Sequence, residues 1–152
     1  DTFESGVHPV MGQTYLNKDR KYIQPTECIG HKHFRIDVND NLLKQEIYSF
    51  IAKGEFESGN TPRGYCHFPS DYPRQHFIQL TNEQRIMERD KSGVAKLKWI
   101  QTGKNEQLDC RKYALAMVYA YREYVEAVLK ENGNLEEDAV LSWHEFWNYL
   151  EG

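Results

Sequence analysis

Apolar residues recur along this chain at two different periods, and the switches between them mark out its elements. Across residues 34–38 (Phe-Arg-Ile-Asp-Val) apolar and polar positions alternate, the period-two signature of a half-buried strand. Leu43, Ile47, Phe50 and Ile51 then follow at helical spacing, which predicts a helix over 42–53, capped by Asp40 or Asn41 and closed by Gly54. Residues 64–68 read as a short strand ended by Pro69. Ser70 is placed to cap a brief helix reaching Leu80, with Pro73 in its first turn, where the missing N–H costs little. Segments 85–90 and 95–101 flank Lys91-Ser92-Gly93, a hairpin pattern with glycine at the turn and Trp99 and Ile100 anchoring the second strand. The longest helix opens at Glu106 behind Asn105 and runs to about Asn132, where Gly133 stops it. Its stripe of Leu108, Leu115, Val118, Val125 and Leu129 faces a core. Ser142-Trp143-His144-Glu145 is a capping box that opens a last helix. Residues 1–33 show no sustained period and carry Gly6, Pro9, Gly12, Pro25 and Gly30, so they read as loop with one short strand.

Strand, helix, strand, helix, hairpin and helix in this order predict a mixed α/β fold with helices packed on a sheet. At 152 residues and 39% hydrophobic content the chain can bury about two-thirds of its unfolded surface as one domain. We expect an α/β domain over 1–133 followed by an acidic helical tail over 134–152. No apolar run is long enough to span a membrane, and the first residues form no secretory signal. The chain does not begin with Met, which suggests a fragment or a processed product. Cys28, Cys66 and Cys110 are an odd number at wide spacing, as expected of a reduced intracellular protein. Cys28 with His31 and His33 has a superficial look of zinc, but no second ligand pair follows, and loop histidines beside a strand account for it better.

Charge sharpens this picture. Residues 85–112 hold eight basic side chains against four acids, whereas residues 123–152 hold eight acids against Lys130 alone. A basic middle beside an acidic tail suggests a surface for nucleic acid and another for protein, although two solvated faces would look the same. Glu106 and Asp109 stand three residues apart in the first turn of the long helix, on one helical face. Paired carboxylates are hard oxygen ligands of the kind Mg²⁺ or Mn²⁺ accepts. Two acids complementing a helix N-terminus would give the same spacing.

Three stretches together resemble the C-terminal nuclease region of the large terminase subunit of lambda-type tailed bacteriophages. They are Gly64-Tyr65-Cys66-His67-Phe68-Pro69, then Phe77-Ile78-Gln79-Leu80-Thr81 with the basic hairpin ending in Trp99, and Asn105-Glu106-Gln107-Leu108-Asp109-Cys110-Arg111-Lys112-Tyr113-Ala114. A weaker match covers residues 44–48. The resemblance implies an RNase H-like nuclease fold, incomplete at its N-terminus, with acids holding Mg²⁺ or Mn²⁺ to cut double-stranded DNA during genome packaging in the host cytoplasm. It implies the small terminase subunit and the procapsid portal protein as further partners. By resemblance the helix acids supply the last carboxylate of the metal cluster. Other terminases place an Asp-Asp pair where Asn105 and Glu106 stand, so Glu106 and Asp109 are equal candidates. His67 joins them as a catalytic candidate that could orient a water or contact phosphate, or else packs beside Tyr65 and Phe68.

Arg85, Arg89, Lys91, Lys96, Lys98 and Lys104 are the candidate DNA-binding residues, since cations on a hairpin neutralise phosphates without reading sequence. In the tail, Trp143, Phe146, Trp147 and Leu150 suit docking in a partner's groove, as the family's C-terminus docks the portal, or packing back onto the domain. The chain departs from the family in two respects. No Gly-x-x-x-x-Gly-Lys-[Ser/Thr] phosphate loop is present, so no packaging motor is encoded. The family's earlier metal-binding acids lie upstream of the matched region. Asp37 could stand in for one, or be an exposed strand residue. Weak or absent activity of the isolated chain is therefore expected, and a non-catalytic module docking DNA and the portal is the alternative function.

Overall fold

In one sheet two short strands, β1 (Val10–Gln13) and β2 (Ile23–Glu27), flank β3 (Phe34–Asn39). β1 pairs with it in parallel and β2 antiparallel, with Val10 and Ile23 facing Ile36 and Val38 respectively. The computed structural model describes residues 10–13, 22–27, 34–54, 59–62 and 64–152. Cys28, His31 and His33 lie outside the described residues, so the zinc reading does too. The molecule is mixed α/β, with two small sheets and four helices among the described residues.

Two strands precede residue 34, where the sequence predicts one. β1 is only four residues long and contains Gly12, and β2 contains Pro25. A proline is tolerated there because β2 lies at the edge of the sheet and need not donate on both sides. The half-buried reading of β3 is also corrected. Ile36, Asp37, Val38 and Asn39 are all buried, as befits a central strand covered on both faces.

The chain divides into two compact units, residues 1–39 with 114–152, and residues 40–113. In the second, α1 (Asp40–Ile51) buries Leu43 and Ile47 and starts at Asp40, two residues earlier than the sequence reading. Residues 65–69 form no strand, contrary to expectation. Gly64 has φ of 78°, and the Tyr65 N–H turns back to the Pro62 carbonyl at 3.0 Å instead of reaching a neighbouring strand. α2 (Arg74–Leu80) begins four residues after the expected Ser70 cap. Pro73 restrains Tyr72 away from helical geometry, and the Tyr72 N–H closes a separate turn onto Pro69.

β4 (Glu83–Arg89) and β5 (Ala95–Gln101) form the expected hairpin. Asp90 Oδ1 accepts from the backbone N–H groups of Ser92 and Val94, each at 3.0 Å, and Gly93 takes the positive φ the turn requires. α3 (Glu106–Glu131) matches its reading closely. It ends in a Schellman closure in which Asn134 N–H reaches the Leu129 carbonyl and Gly133 N–H that of Lys130. α4 (Trp143–Glu151) opens with the predicted capping box: Ser142 Oγ accepts from Glu145 N–H, and Glu145 Oε2 accepts from Ser142 N–H at 2.8 Å.

Within the first unit, Phe146 packs with Val125 and Leu141 in a buried cluster bordered by Val118, Leu129 and Trp143. Arg122 donates twice to the Leu141 carbonyl and lies over the Trp143 ring, and Glu126 accepts from Leu141 N–H. These bonds hold the segment between the last two helices against α3.

Candidate active site

In the unit of residues 40–113, three carboxylates and two ammonium groups form one connected ladder. Helical spacing sets its rungs. Asp40 and Lys44 stand one turn apart on α1, and Asp109 and Lys112 one turn apart on α3. Lys112 Nζ lies 2.8 Å from Asp109 Oδ1 and 3.0 Å from Asp40 Oδ1. Lys44 Nζ lies 2.8 Å from Glu83 Oε2 and 3.9 Å from Asp40 Oδ2. Glu83, the first residue of β4, also accepts from Asn105 Nδ2 at 2.6 Å. The opening residues of α1, β4 and α3 are thereby tied to one another.

Burial governs what this ladder can do. The Lys112 and Glu83 side chains are only 3% and 5% exposed, whereas Asp109 keeps 40%. Burial pushes the Lys112 pKa down, but the hydrogen bond to Asp109 and the attraction of Asp40 outweigh it, so the net shift is upward. Lys112 is therefore a fixed cation at neutral pH. Asp40 Oδ1 is buried and, despite the ammonium 3.0 Å away, has no aligned hydrogen bond among the described residues. Three carboxylates against two ammonium groups leave the ladder one formal negative charge.

The two helix acids part ways. Asp109 joins the ladder, while Glu106 is exposed and has no hydrogen-bonding or ionic partner among the described residues. Asp40 and Glu83 are the acids that accompany Asp109, and sequence reasoning missed that role for both. Asp40 was read only as a cap, and Glu83 carried no signal beyond preceding the hairpin. Among the described residues no three acidic, histidine or cysteine side chains are grouped so as to hold a metal ion. Two lysines offset two of the three carboxylate charges and occupy the space between them, so as arranged they do not fit a resident divalent cation.

His67 lies on irregular backbone instead of the expected strand. It is exposed and packs edge-on against Tyr65 at 4.9 Å. Nearby, Arg111 donates to Cys66 Sγ at 3.2 Å and its guanidinium lies 5.3 Å from the Phe68 ring centre, which ties the 65–69 segment to α3.

The basic side chains Arg85, Arg89, Lys91, Lys96, Lys98 and Lys104 are all exposed. Lys96 pairs with Asp90 at 3.0 Å, Lys98 with Glu88 at 3.2 Å, and Arg89 donates to the Gly93 carbonyl. Arg85, Lys91 and Lys104 have no side-chain partner among the described residues and keep their full charge for a ligand.

The other unit places its acid differently. Asp37, an exposed position in one sequence reading, is 6% exposed. Arg35 holds it through Nε at 2.7 Å and Nη2 at 3.1 Å, and Thr26 donates at 2.8 Å. Burial raises its pKa, but these donors, with Gln13, bring the net value below the ordinary 3.8. Its lone pairs are committed to the sheet. Of the four tail residues, Phe146 is 1% exposed inside the core and Trp143 is half-buried, leaving Trp147 and Leu150 at the surface.

The family of the terminase large subunit gpA endonuclease domain matches residues 4–127. The chain belongs to that family, and its membership supports endonuclease activity in phage DNA packaging. Comparisons with curated proteins and with solved structures return no match.

Proposed function

We propose that the chain is the DNA-cutting domain of a phage packaging enzyme, hydrolysing phosphodiesters of double-stranded DNA with Asp109 as its principal acid. The observation that carries this reading is the family match over residues 4–127, inside which Asp109 and Asp40 meet at one buried ammonium. The reading includes an RNase H-like plan, a separate tail over 134–152, Mg²⁺ or Mn²⁺ as cofactor, and the small terminase subunit and procapsid portal as partners in the host cytoplasm. Among the described residues no helix is long and apolar enough to cross a membrane.

The hairpin's role follows from charge alone. Arg85, Lys91 and Lys104 neutralise backbone phosphates and release counterions, which holds duplex without regard to sequence. Asn105 and Lys44 fix Glu83, and Lys112 fixes Asp109 and Asp40, so the carboxylates are held before DNA arrives. Lys44 and Lys112 offset two of the three carboxylate charges, which leaves little negative charge for a divalent cation.

The same balance favours a second reading, a non-catalytic module that docks DNA through the hairpin and the portal through Trp147 and Leu150. Mn²⁺ calorimetry separates the two. Binding heat that disappears in Asp109→Ala supports the nuclease. Tight duplex binding with no Mn²⁺ heat, or with heat unchanged in Asp109→Ala, supports the module.

A further inference from the structure

One recess in the unit of residues 40–113 is left unused by the cutting reading. It has a volume of about 380 Å³ and opens between α1 and the hairpin, lined by Gln45, Tyr48, Glu83, Gln84, Arg85 and Trp99. That size is within the range of small-ligand sites, and its walls are mainly apolar. Tyr48 and Trp99 stack with ring centres 5.3 Å apart and planes within 26°. Tyr48 Oη donates to the Glu83 carbonyl at 2.8 Å, which fixes the tyrosine, so the aromatic surface is organised in advance.

Polar groups flank that surface. Arg85 is directly across the hairpin from Trp99, on the same face of it, whereas Gln84 pairs with Ile100 on the opposite face and adds only backbone to the lining. Arg85 is exposed, and its side chain has no partner among the described residues. Gln45 is fixed at the lining by donating to the Asn41 carbonyl at 3.0 Å. The one acid in the lining, Glu83, is already engaged by Lys44 and Asn105 and offers no free anion to a cationic ligand. An aromatic face takes any base, a guanidinium takes a phosphate, and primary amides meet the polar edges of bases.

We propose that this recess binds an unpaired nucleotide of a DNA strand, with the base against the Trp99–Tyr48 pair and the phosphate on Arg85. The proposal rests on the reading that the chain handles DNA, but its ligand is an unstacked strand, not the duplex that the exposed lysines hold.

The test is a titration of a single-stranded oligonucleotide carrying 2-aminopurine, whose fluorescence falls when it stacks on an aromatic ring, run beside the same label in duplex. Wild type should quench the single strand. Trp99→Leu should weaken that binding by roughly 5- to 150-fold, the range of one lost stacking contact, with duplex affinity unchanged. Trp99→Phe should restore most of it. The double variant Arg85→Gln with Gln45→Ala should weaken single-strand binding by more than it weakens duplex binding, and that difference decides the matter if Trp99→Leu fails to fold. Folded Trp99→Leu or the double variant binding the single strand as wild type does would overturn the proposal. A free deoxynucleoside monophosphate competing as well as the oligonucleotide would also overturn it, since the ligand would then be a metabolite. Single-strand binding that persists in a protein unable to cut duplex would leave this site standing and sink the nuclease reading instead.

Discussion

Lys44 and Lys112 are both buried ammonium groups, yet their removal should not cost the same. Lys44→Met leaves Glu83, 5% exposed, as a buried carboxylate with only Asn105 beside it, and we expect a loss of about 3–5 kcal/mol in urea unfolding. Lys112→Met leaves Asp40 and Asp109, 27% and 40% exposed and partly solvated, so about 1–3 kcal/mol is expected. Equal losses would mean that solvent reaches Glu83 more than its burial indicates. Asp37 sets the acid side of the stability profile. Its folded pKa lies below the ordinary 3.8, so its contribution is present above that value and lost as pH falls through the folded pKa. Asp37→Asn should flatten the stability curve below about pH 4, measured by denaturation at stepped pH. Lys112 acts at the opposite end. Its folded pKa lies above 10.5, so its contribution is complete below that value and fades as pH rises through the folded one.

At the scale of elements, what was legible is what local chemistry decides. The hairpin turn was visible because Gly93 and Asp90 act within five residues of each other, and the capping box because Ser142 and Glu145 close on themselves. α3 was visible because its apolar stripe and Gly133 stop agree. The strand expected at 64–68 failed because alternation specifies a strand only where a neighbour accepts its hydrogen bonds, and Tyr65 spends its N–H on Pro62. β1 and β2 were only partly legible, as one unplaced strand, for the converse reason: β3 organises strands too short and too interrupted by Gly or Pro to declare themselves. The site was half legible on the same grounds. Asp109 lies within a local motif, whereas Asp40 and Glu83 meet it only through Lys112 and Lys44, contacts that no spacing encodes. In α4, Phe146→Ala should cost about 3–5 kcal/mol because it empties the Val125–Leu141 cluster. Ser142→Ala should cost about 1 kcal/mol through loss of the cap. Trp147→Ala should leave the melting temperature nearly unchanged, and a large drop would show that Trp147 packs instead of facing solvent.

For the whole molecule, charge distribution decides how DNA is held. Duplex affinity should fall as salt rises, and each cation that contacts a phosphate should add about 0.9 to the log–log slope. Lys91→Gln and Lys104→Gln should each lower that slope by nearly this amount. Lys96→Gln and Lys98→Gln should lower it less, because Asp90 and Glu88 already occupy those two lysines. Equal effects at all four positions would mean that DNA displaces both ion pairs. The most direct test of DNA cutting at Asp109 is cleavage of supercoiled plasmid by excess full chain in Mg²⁺ or Mn²⁺, comparing wild type with Asp109→Asn of equal melting temperature. We expect wild type to nick the plasmid and Asp109→Asn to lose at least about 100-fold of that rate, the scale of removing one group that acts in the transition state. Nicking at the same rate by both proteins would contradict it.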